Sequence, residues 1–151
     1  MSFGFAESIR RGNEAVLLKV NKEVYRIVWE LFTSVVQLTP SPSNPGPWAK
    51  GLLANQWYPS VGEGVGNLGT DTNDIGADSL NRVNAFVRDG KEFVGKDGKV
   101  SLTNNVPYAY QAEAIGWMPP QWTGRSKAAR MVARSLMNVA AKNRQIQIRL
   151  P

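Results

Sequence analysis

Residues 13 to 36, NEAVLLKVNKEVYRIVWELFTSVV, set Leu17, Val20, Val24, Ile27 and Leu31 at alternating steps of three and four, with Val16, Val28 and Val35 widening the band. That spacing is one face of a helix turning every 3.6 residues, and it predicts a long amphipathic helix with a core-facing stripe. Lys19 with Glu23, and Arg26 with Glu30, stand one turn apart on its polar side and can pair weakly. An alternation of three and four also suits packing against a helix of another subunit. The helix must end before TPSPSNPGP, residues 39 to 47, where four prolines in nine residues remove backbone donors.

Beyond the prolines the pattern shortens. WAKGLLANQWYPSVGEG predicts a strand over Asn55 to Val61, which Pro59 demotes to an edge or a bulge. The glycine-rich run GVGNLGTDTNDIGAD reads as a mobile connection, and Asp78 can cap a short helix over Ser79 to Val87 with Leu80, Val83 and Val87 on one side. GKDG at 95 to 98 marks a turn into a second strand, Lys99 to Asn104, in which Val100 and Leu102 point one way. A final helix, Ser126 to Asn143, would bury Ala129, Val132, Ala133, Leu136 and Ala140 and turn Lys127, Arg130 and Arg134 outward. With 151 residues the chain is sized for one domain, with mobile loops about 39–51 and 59–77 and an arm about 145–151. In that arm, QIQIRLP alternates Ile146, Ile148 and Leu150, as a strand able to join a neighbour's sheet would.

Charge is divided along the chain. Residues 1 to 124 hold 11 basic and 12 acidic side chains, whereas Arg125, Lys127, Arg130, Arg134, Lys142, Arg144 and Arg149 follow with no acid among them. A one-signed block faces an acidic partner or a polyanion, unless it is a solvated helix face favoured by the macrodipole. Apolar runs stop short of the roughly 18 residues that a membrane span needs, and MSFGFAESIRRGNEA lacks the apolar centre of a signal peptide. A soluble protein made in a cytoplasm is the expectation.

The sequence has neither cysteine nor histidine, so thiolate chemistry is excluded and the commonest general base and metal ligand is missing. GVGNLG, residues 64 to 69, satisfies G-x-G-x-x-G, yet TDTNDIGAD follows where a helix should open, and its aspartates would repel a pyrophosphate. Asp71, Asp74 and Asp78 lack the spacing of a calcium loop. No cofactor, metal or catalytic residue is therefore expected. An acid–base site built on Glu113 with Tyr108 or Tyr110 would need a partner to tune the carboxylate, and none is visible.

Residues 101 to 117, SLTNNVPYAYQAEAIGW, carry the densest set of unusual residues. Asn104 and Asn105 suit a bulge or bend, Pro107 forces Val106 extended, and Tyr108 and Tyr110 would share a strand face. Ala109 and Ala112 leave room for close approach, while Trp117 and Trp122 bracket the stiff MPPQ. Tyr and Trp in such a place serve a core or the centre of a contact surface.

The run LTNNVPYAYQAEAIGW, followed by GRSKAARMVARSL, resembles the signature of tail-completion and neck proteins of long-tailed bacteriophages, in which a strand ending in Asn-Asn-x-Pro-Tyr leads to Glu, Gly-Trp and a last helix beginning near Met-Val. Upstream, Thr39-Pro40, Gly51-Leu52-Leu53, Asn55 and Trp57 are similar to that family's order of elements, so the likeness extends over roughly residues 10 to 140. The chain departs from it in two loops, with Ser-Asn-Pro-Gly after Thr-Pro and MPPQWTGRSKAAR after Gly-Trp. The resemblance implies an α+β subunit: a long N-terminal helix, a small mostly antiparallel sheet, a second short helix and a basic C-terminal helix. It implies a non-catalytic virion protein, made in the cytoplasm of a bacterial host. Such a protein forms a six-fold ring at the neck or top of the tail, between tail-terminator, tail-tube or head-adaptor rings, with packaged DNA passing through the channel. On that reading Tyr108, Tyr110, Trp117, Trp122, Arg125, Lys127, Arg130, Arg134, Ile146 and Ile148 are the interface candidates, with the basic helix set against an acidic face of the next ring. The competing expectation is a nucleic-acid-binding protein, with the basic helix on phosphates and aromatics on bases.

Overall fold

The computed structural model describes residues 3–40, 51–70, 76–89, 98–115 and 130–143. Helix α1 runs Phe3–Leu38, ten residues further forward than the apolar periodicity alone predicts. Its front turns are stitched by ion pairs one turn apart, Arg10 to Glu7 and to Glu14, and Arg11 to Glu7, a support that hydrophobic spacing does not reveal. Arg26 takes both Glu23 and Glu30, and its hydrogen bond holds the Glu23 carboxyl below the usual carboxylate range. Thr39 closes the helix: its N–H donates to the Val35 and Val36 carbonyls and its hydroxyl to Val35 O at 2.7 Å, just before Pro40.

The stripe on α1 serves the core only along its second half. Val28, Phe32, Val35 and Val36 are buried, and Val24 and Leu31 lean on them. Val16, Leu17 and Val20, expected to face the core, are instead 61%, 54% and 43% exposed. The reason is length. The described helices that meet α1 pack against its C-terminal half, as in the stacking of Phe86 on Phe32 and the bonds from Trp29 to Asn84 and from Arg26 to Asn143.

After α2, Leu52–Asn55, strand β1 (Trp57–Val61) pairs antiparallel with β2 (Val100–Asn104), Trp57 opposite Asn104 and Val61 opposite Val100. This is the α+β arrangement expected from the sequence, with a two-stranded sheet. The register runs without a bulge, although Pro59 sits opposite Leu102. Gly62 N–H donates to the Lys99 carbonyl at 2.8 Å, so alternation turns the Pro59 nitrogen away from β2, where no ladder bond is lost. The outer edge of β1 is met by helix α3, Ala77–Asp89: Ser79 Oγ accepts the Trp57 N–H, and Arg82 donates to the Asn55 carbonyl while lying 4.1 Å above the Tyr58 ring.

Helix α3 starts two residues earlier than expected, and Asp78 lies inside its first turn instead of capping it. The cap is Asn55, whose Oδ1 accepts the Asp78 N–H from across the fold, while its amide donates to Gly51 O at 2.8 Å. Val83 is fully buried and Leu80 and Val87 flank it, so the predicted side of α3 does face the core.

A buried polar contact joins α1 to β1. The Trp57 indole N–H donates to Thr39 Oγ1 at 2.9 Å, with the two residues 5% and 1% exposed. Thr39→Val keeps the shape and removes that acceptor, so it should lower the unfolding free energy by about 2 kcal/mol, the cost of a buried donor left unmatched. Urea titration followed by tryptophan fluorescence measures this, and an unchanged midpoint would count against the contact.

Helix α4, Met131–Lys142, returns along α1. Its buried line is Met131, Ser135 and Val139, one position away from the predicted set; Val132, Ala133, Leu136 and Ala140 are only half-buried. Residues 126 to 129 lie outside the described residues. Ser135, fully buried, is the polar member that hid this line in the sequence. Among the described residues no helix is long and apolar enough to cross a membrane.

Candidate docking surface

The segment that follows β2 is built from the two asparagines outward. Asn104 donates its amide to the Leu53 carbonyl at 2.8 Å and accepts the Val106 N–H on Oδ1, a side-chain turn that swings the backbone out of the strand. Asn105 reaches the other way, donating to the carbonyls of Val65 and Asn67 at 2.7 and 2.8 Å. The pair therefore forms a turn, without the bulge that was the alternative. It also ties the glycine-rich run to the sheet, helped by Gln56 Oε1, which accepts the Gly69 N–H and the Tyr58 hydroxyl.

Two of the three glycines at 64 to 69 have a steric explanation in this packing, whereas Gly66 has nothing within 4 Å of an added carbon. A Cβ on Gly64 would come within 2.3 Å of Thr103 Oγ1, and one on Gly69 within 3.3 Å of Gln56. Close approach of loop to strand accounts for Gly64 and Gly69 without a phosphate. Asn105→Ala should release this run at a cost of about 1 kcal/mol, because the two lost bonds lie near the surface. Amide exchange should accelerate selectively over residues 62 to 70, and equal acceleration elsewhere would contradict the assignment.

Pro107 begins a turn that becomes helical. Ala109 N–H donates to Val106 O and Ala112 N–H to Tyr108 O, and a π-helical turn, Gln111–Ile115, follows. The two tyrosines consequently part company, contrary to the shared strand face expected. Two residues span about 200° in a helix, where in a strand they would realign. Tyr108 is half-buried against the core, its hydroxyl pKa pushed up by burial, whereas Tyr110 is 73% exposed. Ala112 is completely buried, so its small size serves this chain's own packing.

Glu113 then meets the start of α4. Its two carboxylate oxygens accept the N–H groups of Val132 and Ala133 at 3.0 and 3.1 Å, and its carbonyl accepts the Arg130 N–H at 3.2 Å. Arg130 occupies the cap position in a left-handed conformation (φ 48°) and offers no side-chain cap of its own. Glu113 supplies what is missing, with a negative charge at the positive end of the helix. The carboxylate considered for acid–base work thus has a structural task.

The same bond brings two of the candidate groups into one region. Tyr110 sits one turn before Glu113, and Arg130, held by the Glu113 carbonyl, opens α4 with Arg134 one turn on. All three are exposed, and neither arginine enters an ion pair among the described residues. Trp117, Trp122, Arg125, Lys127, Ile146 and Ile148 lie outside the described residues, as do Asp71 and Asp74.

Open grooves also lie among the described residues. One, ≈ 510 Å³, lies between β1 and α3 and is lined by Tyr58, Pro59, Val61, Val65, Arg82 and Phe86. Another, ≈ 460 Å³, lies between α1 and α4 against Trp29, Glu30, Thr33, Asn138, Val139 and Lys142. Among the described residues no three carboxylates gather as a metal site would require. Sequence reasoning named Asn55 and Glu113 without their roles as caps and passed over Gln56, which ties the loop. The one signal for Asn55 and Gln56 was a polar pair enclosed by apolar neighbours in LLANQW. No protein family, curated protein or solved structure matches this chain.

Proposed function

We propose that this chain is a structural virion protein of a bacteriophage neck or tail top, a ring subunit that completes the tail and helps join it to the DNA-filled head. The observation that carries the reading is the stretch 104 to 115. Its Asn-Asn, Pro and Glu serve as turn, tie and helix cap, and the region they frame offers an exposed Tyr110 together with Arg130 and Arg134, which enter no ion pair among the described residues. An aromatic with flanking arginines is the composition of contact centres. Six copies in a ring, stacked between a tail-terminator or tail-tube ring and a head-adaptor ring, would use it against an acidic neighbouring face. Packaged DNA would run through the channel, where a firm phosphate grip would hinder sliding.

The test is a phage in which the gene is deleted and then restored in trans. Electron microscopy should show filled heads and unjoined tails without the protein, and intact virions when the wild-type chain is supplied. Tyr110→Asp with Arg134→Glu should restore joining poorly while the protein still folds. Fully infectious particles that lack the polypeptide would overturn the proposal. The exposed Arg130 and Arg134 also keep the nucleic-acid reading open, and that reading makes its own demand: retention on duplex DNA must fall steeply between low and physiological salt.

A further inference from the structure

Among the described residues, the front half of α1 projects beyond the elements that pack against its rear half, and it carries apolar side chains left outside the core. Ile9, Val16, Leu17 and Val20 are 48%, 61%, 54% and 43% exposed, and the half-buried Ile27 continues their line. We propose that this stripe is a self-association surface, on which α1 of a second copy lies antiparallel.

The spacing argues for a copy in that direction. Ile9, Val16, Val20 and Ile27 are separated by seven, four and seven residues, a series that reads identically from either end. At 100° per residue the four fall within about 40° of one another, so they form one narrow seam along the helix. A two-fold axis beside residue 18 sets Ile9 on Ile27 of the second copy and Val16 on its Val20, and brings the two Leu17 side chains together. A surface patch that matches itself under a two-fold rotation is what an isologous interface requires.

Charge points the same way. Phe3–Leu38 carries four glutamates against five lysines and arginines, and Arg10 and Arg26 are each taken up by two glutamates of their own helix. An anionic lipid surface or a nucleic acid would call for a one-signed flank, whereas a second copy tolerates interspersed signs. Residues 9 to 27 span about 27 Å of helix, and two such lengths side by side bury on the order of 1,000 Å², the lower end of a specific interface. The pair rests on α1 alone and holds whether or not the chain builds a virion ring.

The absence of cysteine makes the test clean, because engineered thiols meet no others. Under mild oxidation an equimolar mixture of Ile9→Cys and Ile27→Cys should give the disulfide-linked heterodimer. Ile9→Cys alone should give none, its two thiols lying about 27 Å apart in the antiparallel pair. Sedimentation of the wild-type chain at increasing concentration should show twice the monomer mass of 16.6 kDa. Val16→Glu with Val20→Glu should return it to the monomer with its helical circular dichroism unchanged, since both positions are exposed. Cross-linking of Ile9→Cys with itself would mean a parallel pair and would overturn the proposal. A monomer at every concentration would do so too, whether the stripe is then covered by residues 144 to 151 of the same chain or by anionic vesicles that co-sediment with it.

Discussion

Glu113→Ala is expected to lower the unfolding free energy by about 2 to 3 kcal/mol, because it strips the acceptors from two backbone N–H groups at the start of α4 and removes a charge favoured there. Glu113→Gln keeps one amide oxygen in reach and should lose about half as much. Chemical denaturation ranks the three proteins. Amide exchange at Val132 and Ala133 should rise in the same order, since these are the groups that Glu113 holds. The order separates a cap from an acid–base residue. A catalytic carboxylate would tolerate glutamine as a fold element and lose turnover as completely as with alanine. Equal stability of the three chains would remove the cap from the account.

Gly76→Ala is expected to cost about 3 kcal/mol, combining a strained backbone with a steric conflict. Gly76 has φ 67°, and a Cβ there would stand 2.8 Å from the Ala54 carbonyl and 3.0 Å from Val36 Cγ1. Neither neighbour can retreat easily, because Ala54 belongs to α2 and Val36 to the packed half of α1. Gly12→Ala is the matching control. Gly12 lies within α1 with nothing within 4 Å of the added carbon, and the change should stabilise the helix by about 0.5 to 1 kcal/mol. Thermal unfolding of the two variants side by side would expose an error, since the argument fails if both shift in one direction.

How much of this arrangement was legible depends on the range of the interaction that fixes each element. The rear of α1, its stop at the prolines, the alternation of β2 and the apolar side of α3 all follow from residues within one or two turns of each other, and each appears where the pattern puts it. The start of α3 and the buried line of α4 do not. Their caps are Asn55 and Glu113, 23 and 19 residues from the N–H groups they accept, and nothing local to either helix announces them. Ser135 in the core line inverted the polarity rule by which the other face was chosen. The tyrosine pair departs from its expected shared face for a related reason, since β2 ends at Asn104 and Pro107 opens a turn that becomes helical within two residues. Of the candidate surface, exposure of Arg130 and Arg134 was legible from helical spacing, whereas their proximity to Tyr110 depends on the bond from Arg130 to Glu113.

Both borrowed caps precede, in the direction of synthesis, the helices they close. A polypeptide leaving the ribosome would therefore have each anchor in the open before the segment that needs it is made, and no later residue has to return to finish α3 or α4. Nascent chains halted once α3 has cleared the ribosome, with α4 still enclosed, should accordingly hold α3 against proteolysis, and lose that protection when Asn55 is replaced by alanine.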